Sequence, residues 1–281
     1  MEIGVFTYGP TAYCDPAVLA QQAEALGYHS YWVPEHPFLP VTYASRLTFY
    51  PEGVPSFYAE LADPFVTLAR ASAVTKTIKL GTGICLVPER NPLLLAKEVA
   101  TLDHVSGGRF LFGIGAGWLR EELEILGGNF AHRWGQTREA ILAMKQLWTT
   151  EEAQFHGQYY DFPPVRSFPK PLQKPHPPIF IGEWTMRQAF QRIVAWADGW
   201  MPVFLTPEQI KSGRETLNHL AVQAGREPHA IQVVAFGVPA DPAALQAFAE
   251  AGADQAVLLL EIASEQEALA KMEAAARMVF R

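Results

Sequence analysis

The residues best suited to acid–base chemistry are two neighbours, Glu35 and His36, in the segment PEHPF. They directly follow an apolar run, residues 30–33, that has the length and composition of a buried strand. Histidine is the side chain most easily poised to move a proton near neutral pH, and ligands bind at the carboxyl ends of parallel strands. We therefore predict that His36 and Glu35 are catalytic. Taken alone, a structural role fits this histidine equally well.

Two other apolar runs, residues 80–86 and 110–114, end in glycine-rich sequence, and a helix-patterned segment separates them. The second break, GIGAGW at 113–118, is similar to the dinucleotide fingerprint G-x-G-x-x-G but carries Trp118 at its sixth position. A nucleotide-binding fold of that type is therefore disfavoured. Glycines at two strand ends let a flat or phosphorylated ligand approach the backbone, or they serve only to reverse the chain.

A third break, GEWTMR at 182–187, follows the fifth predicted strand. Thr185 is placed to cap the next helix, so this loop presents N–H groups, a hydroxyl and the nearby Arg187 to an anion. The arrangement would suit a phosphate group, although a glycine between a strand and a helix is common.

Composition and missing motifs exclude several classes of protein. His104, His132, His156 and His176 show no mutual ligand spacing and no H-E-x-x-H occurs, so we predict no metal. Neither a G-x-S-x-G elbow nor a P-loop is present, which argues against hydrolases and kinases. A net charge of −7 without a Lys/Arg cluster argues against nucleic-acid partners. Two cysteines and no long apolar run predict a soluble, cytoplasmic protein without a membrane partner.

Apolar runs of strand length alternate with helix-period segments along the whole chain. Eight strands, each followed by a helix, predict an α/β fold: a single (β/α)8 TIM-type barrel domain over residues 1–281, in preference to an open doubly wound sheet. The predicted strands are 3–7, 30–33, 78–84, 109–114, 178–181, 199–203, 231–238 and 255–260. The predicted helices are 16–27, 64–75, 92–105, 137–148, 185–197, two that begin at 206–207 and 241–242, and 264–279.

Two connections are too long to be ordinary turns. The loop after strand two, residues 35–62, is rich in proline and aromatic residues and offers apolar surface to a substrate, or it packs on a neighbouring element or subunit. Before strand five, the segment QFHGQYYDF predicts a small hairpin that turns near Gly157, and a proline-rich connector follows it.

The chain resembles the bacterial luciferase-like monooxygenase superfamily, and within it the deazaflavin (coenzyme F420)-dependent oxidoreductases. The similarity runs along nearly the whole length. Its most specific parts are the stretch from GTGICL to FLFGIGAGW, the hairpin QFHGQYYDF and the strand PPIFIG. Members that bind FMN share much of this pattern.

The resemblance implies a barrel whose flavin-like ring lies at the C-terminal mouth. It implies a non-prolyl cis peptide at Gly83 and Ile84, in a bulge of strand three that backs the ring. It also implies that residues after strands four and five lie along the ring, its ribityl chain and its phosphate. These predicted cofactor contacts are Gly115, Ala116, Gly117, Trp118, Gly182, Glu183 and Thr185.

His36 matches a histidine that some family members use for proton transfer. Where sugar-phosphate dehydrogenases of the deazaflavin group carry a catalytic glutamate, this chain has Trp118, so their substrate and their acid–base pair are not transferred. Trp118 fits an aromatic wall or a core position.

The working hypothesis is hydride transfer between coenzyme F420 and a small organic substrate. The first alternative is an FMN-dependent monooxygenase that uses oxygen and receives reduced FMN from a separate reductase. The second is a non-catalytic barrel that binds a flavin-like ligand. The resemblance also implies a homodimer.

Overall fold

Most helices begin at a short polar residue that is followed by proline. Our computed structural model describes residues 1–183 and 186–280. The side chains of Asp15, Asp63 and Asn91 each accept a backbone N–H of the turn they begin, and the next residue is proline in each case. The helices are α1 Pro16–Ala25, α2 Pro64–Val74, α3 Pro92–Val105, α4 Arg120–Ile125, α5 Arg133–Thr149, α6 Met186–Trp196, α7 Pro207–Gln223, α8 Pro242–Glu250 and α9 Glu265–Val279.

Eight parallel strands close into a barrel, which confirms the predicted fold. Each strand is paired with its neighbours in the ring, and pairing of β1 with β11 and of β3 with β5 completes the circle. The ring strands are β1 Glu2–Tyr8, β2 Ser30–Val33, β3 Lys79–Thr82, β5 Phe110–Gly115, β8 Ile179–Ile181, β9 Gly199–Trp200, β10 Gln232–Phe236 and β11 Gln255–Glu261. Buried apolar side chains fill the barrel, including Phe6, Trp32 and Phe180, while a larger core lies between strands and helices.

The third predicted strand is interrupted by a bulge. Its residues form β3, and after a break the short strand β4 Cys85–Leu86 lies just beyond the predicted end at residue 84. Both strands pair with β5. Gly81 lies opposite Leu111 and Cys85 lies opposite Ile114, so four steps along one strand match three along the other. One extra residue is therefore inserted here, which re-aims the chain at the carboxyl end of the strand.

The remaining elements include one predicted hairpin and one helix that was not predicted. The hairpin before the fifth ring strand is present as β6 Ala153–His156 and β7 Asp161–Val165, which are antiparallel. Helix α4 was not predicted, and α5 begins four residues earlier than predicted, at Arg133. Within the described ranges, no helix is both long and apolar enough to cross a membrane.

Candidate active site

A cavity of about 390 Å³ opens at the C-terminal end of the barrel. Apolar and aromatic side chains dominate its lining, with few polar groups, as in most sites for small molecules and cofactors. Nine of the predicted site residues line it: Glu35, His36, Gly83, Ile84, Ala116, Gly117, Trp118, Gly182 and Glu183. Gly115 does not line the cavity, and Thr185 lies outside the described residues.

His36 forms a buried pair with Glu122. Its Nδ1 lies 2.7 Å from Oε2 of Glu122, and the two residues are 9% and 0% exposed. The indole N–H of Trp118, which can only donate, points at His36 Nε2 from 3.4 Å. Nε2 is therefore the accepting nitrogen. Nδ1 carries the proton and donates a hydrogen bond to the Glu122 carboxylate. A histidine oriented in this way by a carboxylate is suited to accept a proton at its other nitrogen.

Glu122 was missed by the sequence analysis because the helix that carries it was not predicted. It lies on α4, just beyond the glycine-rich end of β5, so the same chain reversal brings Trp118 and Glu122 to His36. The sequence signal that could have revealed it is the pair of acidic residues, Glu121 and Glu122, in the first turn of a short helical segment.

Both carboxylate oxygens of Glu35 accept hydrogen bonds. Oε1 accepts from the Nε and Nη2 groups of Arg90, and Oε2 accepts from the backbone N–H of Leu86 at 2.6 Å. Arg90 also binds Asp63 at 2.8 Å and Glu98 at 3.2 Å. Glu35 thereby joins the end of β2 to the segment that follows the bulge.

A second buried acid, Glu89, lies behind Gly117. A side chain added at Gly117 would come within 3.1 Å of Oε1 of Glu89, and Gly117 has a φ of +78°, which favours glycine. Burial, together with the charges of Glu122 and Glu35, raises the pKa of Glu89 to about 9 against the opposing effect of Arg90. The folded site therefore disfavours the ionised form of Glu89.

The bulge carries the side chain of Ile84 into the mouth of the barrel. The peptide bond between Gly83 and Ile84 is cis, as the family resemblance implied. A Cβ at Gly115 would lie 2.0 Å from Cδ1 of Ile84, and one at Gly182 would lie 3.0 Å from its Cγ2. The glycines at 115 and 182 thus give space to Ile84, which lines the cavity beside Gly83.

Cationic side chains gather at the side of the cavity next to Gly182. Arg133 and Glu183 line the cavity, and Glu183 is paired with Arg192. Burial raises the pKa of Glu183 against the effect of Arg192 and Arg133, and burial lowers the pKa of Arg133. Within the described residues, the buried Nε of Arg133 has no hydrogen-bond partner. This orphaned donor fits an anion, and sequence analysis missed it because Arg133 preceded the predicted helix.

The loop after β2 covers the opposite side of the cavity with aromatic rings. Tyr58 lies 5.1 Å from the His36 ring, and Phe49 meets Phe204 edge to face at 4.6 Å, both measured between ring centroids. This loop therefore presents aromatic side chains to the cavity. The aromatic residues that line the cavity are Phe6, Tyr8, Phe49, Tyr50, Phe57, Tyr58, Trp118, Trp134, Phe204 and Phe236.

These features fit a flat, phosphorylated ring cofactor. The lining offers a ring-sized apolar space beside Ile84, and the orphaned guanidinium nitrogen of Arg133 supplies a donor for an anionic group. Across the described part of the chain, no group of three or more His, Cys, Asp or Glu residues is arranged to hold a metal ion.

Comparison with known proteins identifies sequence relatives over the whole length. A family model described as luciferase-like monooxygenase matches residues 2–279. The uncharacterized protein Rv0953c of Mycobacterium tuberculosis is 35% identical over 277 residues, which cover 97% of this chain and 96% of the relative. The oxygenase component of the flavin-dependent trigonelline monooxygenase of Acinetobacter baylyi is 35% identical over 165 residues, or 58% of this chain and 41% of the relative.

Solved structures share the fold at lower identity. The monooxygenase RslO1 from Streptomyces bottropensis superposes with a TM-score of 0.79 at 21% identity, covering 100% of this chain and 99% of that one. An F420-dependent secondary alcohol dehydrogenase, in complex with an F420–acetone adduct, gives a TM-score of 0.75 at 20% identity, covering 98% and 99%. These neighbours of one architecture thus include a monooxygenase and an F420-dependent dehydrogenase.

Proposed function

Because this chain belongs to the luciferase-like monooxygenase family, we propose that it is an oxidoreductase that transfers a hydride between coenzyme F420 and a small organic substrate. The observation that carries the proposal is the His36–Glu122 pair, which lies at the wall of the cavity with Nε2 of His36 as its accepting nitrogen. Hydride transfer between an alcohol and a ketone also moves a proton on oxygen, and such a pair is suited to move it.

The chain's own residues would hold the cofactor in two regions. Gly83 and Ile84 would back the ring, and Ala116, Gly117 and Trp118 would lie beside it. Arg133 and the loop at Gly182 and Glu183 would face the phosphate, because this is where a buried guanidinium nitrogen lacks a partner among the described residues. When bound, the deazaflavin supplies the carbon that accepts or donates the hydride.

His36 would act as the base in the direction of substrate oxidation. Once a substrate hydroxyl takes the place of the Trp118 N–H, Nε2 would accept the hydroxyl proton, while Nδ1 keeps its proton and its hydrogen bond to Glu122. The Glu122 carboxylate would stabilise the positive charge that develops on the ring. In the reverse direction the protonated ring would return the proton to the substrate oxygen.

Glu35 would support the site rather than touch the substrate. Both of its oxygens accept hydrogen bonds, from Arg90 and from the N–H of Leu86, so neither oxygen is left to exchange a proton with a substrate. Its role would be to hold the bulge at Gly83 in place beside β2.

The experiment combines binding with turnover. The purified chain is titrated with oxidised deazaflavin and, separately, with reduced FMN, and then assayed for deazaflavin reduction with a panel of short-chain and cyclic alcohols. We expect saturable deazaflavin binding and turnover with at least one alcohol. His36→Asn should lower kcat at least a hundredfold while leaving cofactor affinity within about twofold, since general acid–base catalysis contributes about that much. Tight binding of reduced FMN without any binding of deazaflavin would refute the cofactor assignment.

A second candidate function is favoured by one relative, an oxygenase component that is flavin-dependent. In that case a separate reductase would deliver reduced FMN, and the cavity would hold the ring and an apolar substrate during reaction with oxygen. Reduced flavin reacts readily with oxygen and reduced deazaflavin does so poorly. Oxygen uptake by the protein with each reduced cofactor therefore separates the two candidates.

A further inference from the structure

Three buried carboxylate oxygens beside the active-site cavity lack a partner. Within residues 1–183 and 186–280, neither oxygen of Glu89 forms a hydrogen bond, and neither does Oε1 of Glu122. Unpartnered buried polar atoms are rare because each one costs free energy. The described residues offer no metal site that would explain these oxygens. A proton on one of these oxygens is the simplest group that can join two of them in a hydrogen bond.

The surrounding charges determine which carboxyl takes the proton. Glu122 is bound to His36, and Glu35 is bound to Arg90, so each of these acids has a favourable partner. Arg90 also contacts Asp63 and Glu98. Glu89 is close enough to Glu122 and Glu35 for their negative charges to act on it. The ionisation of Glu89 is therefore disfavoured.

We propose that Glu89 is a positioning residue that stays protonated at neutral pH and donates its O–H to Oε1 of Glu122. This bond would give a partner to one orphaned oxygen on each residue. Oε2 of Glu122 then remains available for Nδ1 of His36, and the proton stays on Glu89 throughout. Only the catalytic meaning of this arrangement rests on the proposed function, since the state of Glu89 depends on its surroundings alone.

The first measurement detects the proton itself. Infrared spectra of the ligand-free full chain at neutral pH should contain the carbonyl band of a protonated carboxyl group. This band should be lost in Glu89→Gln. It should persist in the matched control Glu121→Gln, because hydrogen bonds from Ser45 and Ala44 lower the pKa of Glu121 to about 2 despite the opposing effect of burial. An unchanged band in Glu89→Gln would overturn the proposal.

The second measurement detects the positioning. The proton on Nδ1 of His36 should give a downfield NMR signal, assigned by its loss in His36→Asn. Glu89→Gln supplies an N–H donor in place of O–H, so the signal should persist. Glu89→Leu supplies no donor, so the signal should shift or be lost. If Glu89→Leu leaves the signal in place, or if Glu89→Gln loses it as completely as Glu89→Leu, the proposed hydrogen bond is wrong.

A kinetic comparison links this inference to the proposed activity. With the best alcohol of the panel, Glu89→Gln should retain kcat within about twofold, and Glu89→Leu should lose about tenfold, the effect of one buried hydrogen bond. Equal losses in the two variants would count against Glu89 as a positioning residue. If no alcohol is turned over, the proposed function fails, while the infrared and NMR results still decide the state and the contact of Glu89.

Discussion

Replacing Glu89 by glutamine should stabilise the protein, and the gain should grow with pH. The carboxyl has a pKa of about 9 in the folded chain and the ordinary value of 4.5 when unfolded. Because this pKa is raised on folding, the contribution of the Glu89 carboxyl to stability is complete below pH 4.5 and is lost as the pH rises toward 9. Each pH unit in this window costs about 1.4 kcal/mol. Between about pH 5 and about pH 8 the native chain should therefore lose about 4 kcal/mol that Glu89→Gln retains.

The assay is thermal unfolding of the parent chain and of the variant across that pH range. For a chain of this size, about 4 kcal/mol corresponds to about 8 °C, so at about pH 8 the Tm of Glu89→Gln should exceed that of the parent by about this amount. Glu121→Gln is the control, because the pKa of Glu121 is lowered to about 2 and so does not titrate in this window. A Tm difference between Glu89→Gln and the parent that is the same at both pH values would refute the assignment of a buried, protonated Glu89.

Three further predictions concern other parts of the chain. Arg109→Met removes five hydrogen bonds from a guanidinium that is 8% exposed and should lower the free energy of unfolding by about 3 kcal/mol in urea titrations. Arg70→Met breaks an exposed ion pair and should leave the free energy of unfolding nearly unchanged, so equal losses in the two variants would contradict this reasoning. Burial raises the pKa of Glu24, but hydrogen bonds from the N–H groups of residues 76–78 outweigh burial and lower this pKa to about 2. Glu24→Gln should therefore lower the Tm at neutral pH. Calorimetry should show that the Tm difference between parent and variant vanishes as the pH falls from the ordinary pKa of 4.5 toward 2. Glu121 holds the loop after β2 through Ala44 and Ser45, so Glu121→Gln should raise KM about threefold with kcat unchanged, whereas Glu124→Gln should leave both unaltered.

The barrel could be predicted because its signals are local. Asp63 followed by Pro64, and similar pairs elsewhere, fix where helices begin, and alternating apolar runs fix the strands. The bulge was harder to predict in detail. Residues 78–84 were predicted as one strand, whereas the register against β5 depends on partners far away in sequence.

The candidate site could be predicted only in part for the same reason. His36 and the glycines at strand ends follow from their position in the fold, so they were found from the sequence. Glu122 acts through a contact with a residue 86 positions away, and the state of Glu89 depends on charges from two distant segments, at Glu35 and Glu122. No local pattern encodes such contacts. Gly115 was predicted as a cofactor contact, whereas in the structure its open space is taken by the side chain of Ile84.

The packing of Ile84 between Gly115 and Gly182 couples three segments that meet at the mouth of the barrel. An alanine at position 115 would collide with Ile84 unless that side chain became smaller, because the added Cβ would lie 2.0 Å from its Cδ1. Among homologous chains, positions 84, 115 and 182 should therefore covary, with a larger residue at either glycine accompanied by a smaller one at 84. Such a set of substitutions would move the inner wall of the cavity from one strand to its neighbour and so change the shape of the site without altering the barrel.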